Sequence, residues 1–117
     1  MKNWSRGQSL LAGLALAASM STASAQAAPS ADTLKPLLTK GACLGCHAVD
    51  KKVVGPAFSE VAVKYKGDAG AADRLATKIK QGGSGVWGPV PMPPAAALDV
   101  AEAKTLATWV LAGAPSN

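Results

Sequence analysis

Apolar residues recur at helical spacing in four places between Thr33 and Val110, and polar residues fill the gaps on the opposite face. Leu34, Leu37 and Leu38 give the first helix its inner side. Thr33 is placed to cap it, and Pro36 falls in a first turn where a missing N–H is tolerated. Gly41 loosens the chain near its end. Phe58, Val61, Ala62 and Tyr65 stand at i, i+3, i+4 and i+7 and predict a second short helix, with Lys64 and Lys66 turned to water and Gly67 as its stop. Asp68 reads as the cap of a third helix running to about Gln81, with Ala72, Leu75, Ala76 and Ile79 inward and Asp73, Arg74, Lys78 and Lys80 outward. Gly82-Gly83 stops it. A fourth opens on Asp99-Val100-Ala101-Glu102, which reads as a capping box, and runs through Ala103, Leu106, Trp109 and Val110 to Gly113 and Pro115. Strand alternation is absent from the pattern, so the fold class is all-α.

Two stretches keep no period. Ala48 to Pro56 reads as a loop. Gly82 to Pro94 alternates Pro with other residues, which neither helix nor central strand sustains, so the backbone there is expected to be extended and stiff. A Pro-rich linker or a partner-binding polyproline segment reads equally from the composition. A linker is, however, an odd place for a Met that has no other copy beyond residue 20.

Residues 1–25 change the size of the problem. Lys2 and Arg6 precede an apolar run from Leu10 to Ala18, and small residues follow around Ala23 to Ala27, the layout of a secretory signal peptide cut between 25 and 28. The run falls far short of the roughly 20 residues of a membrane span. That leaves 26–117 as one small domain, opening on a flexible stretch from Gln26 to Ala31. Loss of Lys2 and Arg6 leaves ten basic against seven acidic residues, +3 instead of +5, with no dense basic run of the kind that binds nucleic acid. A domain of this size buries only about 60% of its unfolded surface and commonly needs a staple.

Cys43-Leu44-Gly45-Cys46-His47 supplies one. Two thiols three apart with an imidazole immediately after them match covalent haem attachment: on a helical turn the three side chains share a face, and the thiols meet the two porphyrin vinyls while the imidazole meets the iron. A disulfide, a thioredoxin-like pair and half of a zinc site are the competing readings. The chain has only two Cys and one His, too few for a closed zinc site, and no βαβ pattern surrounds the motif. With Met1 and Met20 gone with the leader, Met92 is the one thioether to pair with His47 as a second axial ligand, held by the Pro residues around it. A lone Met is also a common core filler. Because a metal-bound His usually donates its other ring N–H to a carbonyl, an acceptor is expected in the loop after His47.

With these residues in place the chain resembles the class I cytochromes c, specifically the small single-haem exported carriers of denitrifying and respiring bacteria. The likeness covers nearly all of 26–117. It rests on Gly41 to Ala48, Val54-Gly55-Pro56-Ala57-Phe58, Ile79-Lys80 with its Gly-rich turn, Gly85-Val86-Trp87-Gly88-Pro89-Val90-Pro91-Met92-Pro93-Pro94 and Leu106-Ala107-Thr108-Trp109-Val110. The resemblance implies the class I cytochrome c fold, about four short helices around one haem c, with the first and last helices crossing. It further implies that the Pro56 carbonyl accepts the His47 ring N–H, that the Trp87 indole N–H reaches a haem propionate, and that Lys78 helps hold a propionate. Trp87 also reads as plain packing and Lys78 as a solvated charge. Relatives often carry an Asn after the Pro-Pro pair, whose amide bonds the Met sulfur; Ala95 stands there in this chain.

The function so implied is a periplasmic single-electron carrier, not an enzyme, monomeric and free of the membrane once the leader is cut. Its donor is a quinol-oxidising complex or a copper protein, and its acceptor nitrite reductase or a haem-copper oxidase. Val53, Val54 and Val90 ring the expected contact edge, with lysines outside. The alternative is a haem-based sensor or a small peroxidase-like protein with a labile sixth ligand. Against that alternative stand the lack of a second His and of any Arg beyond the leader other than Arg74.

Overall fold

The computed structural model describes residues 27–116, and the leader read at 1–25 lies outside them. Helices α1 (Ala31–Lys40), α2 (Phe58–Lys64), α3 (Ala71–Gln81) and α4 (Val100–Leu111) carry the fold, with a single 3₁₀ turn at Cys43–Gly45. Among the described residues there is no named strand, only the isolated bridges His47 with Lys52 and Gly83 with Met92. The all-α expectation holds.

Capping explains where the helices begin, and twice it differs from the expectation. Helix α1 is capped by Ser30, not Thr33: the Ser30 carbonyl accepts from the Thr33 and Leu34 N–H groups at 3.0 and 3.1 Å. Pro36 therefore lies inside the helix, and the carbonyl of exposed Asp32 is left to water. Helix α3 starts after Gly70 instead of Asp68, because the Asp68 carboxylate accepts the Gly70 N–H at 3.0 Å and closes a turn two residues early. At α4 the capping box forms as expected, with Glu102 N–H to Asp99 Oδ1 and Asp99 N–H to Glu102 Oε2 both at 2.8 Å.

Helix α4 is the centre of the molecule, packing against α1, α2 and α3. Leu34 of α1, Phe58 and Val61 of α2, Leu98, and Leu106, Trp109 and Val110 of α4 form the main core, and Leu37 and Leu38 pack onto it. Between α3 and α4 the seam is built of small residues, Ala76 against Ala103 and Ala107, flanked by Leu75 and Ile79. Burial of a side chain the size of Leu98 or Leu106 stabilises by about 1.5–3 kcal/mol, whereas exposed ion pairs such as Arg74 with Asp68 and Lys104 with Asp73 contribute about 0–1 kcal/mol. The core sets the helix arrangement, and the ion pairs trim it.

Two further expectations need correction. Lys78 and Lys80 are half-buried, not outward: Lys80 donates to the Leu98 carbonyl and ties α3 to the approach to α4, while Lys78 turns toward Gly83. The segment from Gly82 to Pro94 is not a simple extended strut. It doubles back, Gly83 and Met92 exchanging both backbone hydrogen bonds at 3.0 and 2.8 Å, and the Gly85 N–H donates to the Gly88 carbonyl at 2.8 Å. Pro supplies the stiffness, but glycines with φ of +69°, +132°, +107° and +115° at 82, 83, 85 and 88 make the return.

Candidate functional site

Helix α1 does not itself carry Cys43, because it ends at Gly41 and Ala42 turns the chain with a left-handed φ of 52°. Gly41 sits in a crowded place: a Cβ there would stand 2.9 Å from Leu98 Cδ1 and 3.0 Å from Cys43 Sγ, so those side chains would have to shift. On the 3₁₀ turn that follows, the Cys43 carbonyl accepts from the Cys46 and His47 N–H groups at 3.3 and 3.0 Å. That turn puts both thiols and the imidazole on one side. Neither cysteine is in a disulfide. Burial pushes the Cys43 thiol above its usual range, outweighing a backbone hydrogen bond that lowers it, so the thiol is neutral at physiological pH.

His47 is held by Pro56, Phe58 and Gly55. Its Nδ1 lies 2.8 Å from the Pro56 carbonyl oxygen. A carbonyl only accepts, so Nδ1 carries a proton, and in the neutral ring Nε2 then keeps its lone pair for a metal. The Phe58 ring stacks on the imidazole, centroids 5.2 Å apart and planes 19° from parallel. Gly55 passes so near that a Cβ would stand 2.5 Å from His47 Cε1. The loop is fastened on both sides, with Gly55 N–H to the Cys46 carbonyl at 2.8 Å and Phe58 N–H to the Ala48 carbonyl at 2.9 Å.

Met92 comes from the other wall. Besides its paired bonds to Gly83, its segment is anchored where Ala95 N–H donates to the Ile79 carbonyl at 2.9 Å. Ala95 thus uses its backbone to secure the segment and offers no side-chain donor.

Cys43, Cys46, His47, Pro56, Lys78, Trp87 and Met92 all line one cavity of about 540 Å³, with Val61, Leu75, Ile79, Leu106 and Val110 among its apolar walls. Two thiols, an imidazole with a free Nε2 and a thioether around an apolar hollow fit a haem covalently attached and ligated on both faces. Lys78 Nζ lies close enough to Gly83 that a Cβ there would be 2.8 Å from it. Trp87 is 42% exposed, and Lys64 Nζ sits 5.4 Å above its ring. Lys64 is exposed as expected, yet its charge also covers an aromatic face. Arg74, read as an outward charge, also lines the cavity.

Phe58 is a neighbour of the imidazole that hydrophobic spacing does not reveal. Its spacing marked it as core, and its position eleven residues after His47 carried no local signal. Gly55 belongs to the expected Ala48 to Pro56 loop, where a Gly-Pro pair after a ligand residue is a cue to close approach.

The model of the family described as Cytochrome c matches residues 35–114. The chain is similar to cytochrome c-551 of Azotobacter vinelandii, 64% identical over 73 residues that span 62% of this chain and 87% of that one. It is similar to cytochrome c-551 of Allochromatium vinosum as well, 51% identical over 84 residues, 72% of this chain and 89% of the other. Among solved structures, wild-type cytochrome c552 of Nitrosomonas europaea matches with a TM-score of 0.64 at 49% identity, covering 68% of this chain and 98% of that one.

Proposed function

This chain belongs to the cytochrome c family as a small class I c-type cytochrome, an electron carrier and not an enzyme, and from that premise we propose a periplasmic single-electron shuttle with His/Met axial ligation. Cys43 and Cys46 would hold the haem covalently, and His47 and Met92 would bind its iron. The observation that carries the reading is the convergence of those four side chains on one apolar cavity from two separately fastened loops. When bound, the haem supplies a one-electron couple that a neutral imidazole and a soft thioether keep at high potential.

The residues around it have distinct tasks. Pro56 orients His47 through the Nδ1 hydrogen bond. Gly83 holds the Met92 backbone through two reciprocal hydrogen bonds, so the thioether is presented by a braced loop. Trp87 and Lys78 are the donors we assign to the haem propionates, both opening on the same cavity. The aliphatic walls keep water from the ligand set and lower the local dielectric.

Residues 1–25 act as the export leader, cut between 25 and 28, and 26–117 is the mature domain. No helix among the described residues is long and apolar enough to cross a membrane. Val53, Val54, Val86 and Val90 are each at least half exposed and offer an apolar contact surface, with Lys51 and Lys52 beside them. A small, transient interface suits a carrier that must leave its partner after each transfer. The partners we assign are a quinol-oxidising complex or copper protein as donor and nitrite reductase or a haem-copper oxidase as acceptor.

Absorption spectra of the matured protein, oxidised, reduced and then exposed to carbon monoxide, test the ligation. A low-spin reduced spectrum, a weak sulfur-to-iron charge-transfer band in the oxidised form and no response to carbon monoxide are expected. High-spin iron or ready carbon monoxide binding would overturn the carrier reading in favour of a sensor or peroxidase-like protein.

A further inference from the structure

Resting on the reading of His47 as an axial ligand, we propose that Phe58 is a positioning residue that fixes the plane of the His47 imidazole, itself held by Trp109 and the C-terminal turn. A hydrogen bond from Nδ1 to the Pro56 carbonyl fixes one direction of the ring and leaves it free to swing about that direction. A second constraint is needed to set the plane. The Phe58 face supplies it, 19° from parallel at a centroid distance of 5.2 Å, and the missing Cβ of Gly55 lets the backbone close in near Cε1.

Phe58 is in turn immobilised. Its side chain is among the buried core residues, and its N–H is bonded to the carbonyl of Ala48, the residue after His47. The Trp109 ring meets it edge-on, centroids 5.4 Å apart at 70°. Trp109 Nε1 donates to the Pro115 carbonyl at 3.1 Å, and its own carbonyl accepts the Ala114 N–H at 3.0 Å. A continuous line of contacts thus runs from Pro115 through Trp109 and Phe58 to the imidazole. Outer contacts of this kind orient a ligand and tune what it binds.

The test is proton NMR of the ferric holoprotein, reading the haem-methyl hyperfine shifts, which follow the orientation of the axial ligands, and solvent exchange of the His47 Nδ1–H. Phe58→Leu removes the flat face, Phe58→Tyr keeps it, and Leu34→Ala opens the same core cluster away from His47. We expect Phe58→Leu to redistribute the methyl shifts and to speed Nδ1–H exchange about tenfold, with Phe58→Tyr and Leu34→Ala close to wild type. If Phe58→Leu does not retain haem, Phe58→Met, which fills the space without a plane, is read in its place. Unchanged shifts and exchange in Phe58→Leu or Phe58→Met would overturn the inference, as would an equal effect from Leu34→Ala. Absence of hyperfine-shifted His47 ring signals from the wild type would instead overturn the ligand assignment beneath it.

Discussion

Gly82 and Met92 meet backbone to backbone: a Cβ on Gly82 would stand 2.3 Å from the Met92 carbonyl oxygen and 2.9 Å from the Pro94 nitrogen. Gly82 also turns at φ 69° and ψ −160°, a region essentially reserved for glycine. The end of α3 and the methionine loop are therefore joined at a point where no side chain fits.

Gly82→Ala combines left-handed strain with a clash against backbone that has no rotamer to yield. It is expected to destabilise the holoprotein by about 2 kcal/mol or more. Because the displaced atoms belong to the Met92 loop, the sulfur-to-iron band should weaken at denaturant concentrations where the wild type keeps it. Chemical unfolding followed at that band and by far-UV circular dichroism checks both.

The cavity of about 540 Å³ lies among the residues that close the core, with Val61, Leu106 and Val110 facing both. A small domain with such a hollow at its centre lacks the burial to fold alone. The variant Cys43→Ala with Cys46→Ala, made without attached haem, should lose most of its helical circular dichroism signal. Native helix content in that variant would contradict the expectation.

Glu102 binds Lys40 across the α1–α4 crossing at 2.7 Å and also receives the Asp99 N–H. The Lys40 contact first, and the backbone bond second, hold its carboxyl below the usual range. A group whose folded pKa is depressed adds stability above its unfolded pKa, and that stability is lost as pH falls through the folded value. Urea midpoints measured across the acid range should fall less steeply for Glu102→Gln than for the wild type, and the two should converge at the acid end.

Much of this arrangement was legible before any coordinates, because it depends on local chemistry. The α4 box needs only Asp99 and Glu102 three apart, and the cysteine-histidine turn needs only its own five residues. The starts of α1 and α3 were misread because a competing group won. Ser30, with its carbonyl and hydroxyl, reached the first N–H groups before Thr33, and Asp68 spent its carboxylate on a preceding turn. The pairing of Gly83 with Met92 and the stacking of Phe58 on His47 are contacts between residues nine and eleven apart, and no spacing rule encodes them. Lys78 and Lys80 looked solvated because α3 was read as a single isolated wheel, whereas the segments before and after Met92 cover that side of it.

The alanine seam between α3 and α4 has a consequence for how the molecule is assembled. Alanine has no rotamers to freeze, so bringing Ala76 against Ala103 and Ala107 loses backbone entropy alone. The seam also admits the helices to close range, leaving Leu75 and Ile79 at its flanks as the side chains to be ordered. Closing α3 on α4 at these three alanines therefore freezes fewer side-chain torsions than setting the Phe58–Trp109 pair does.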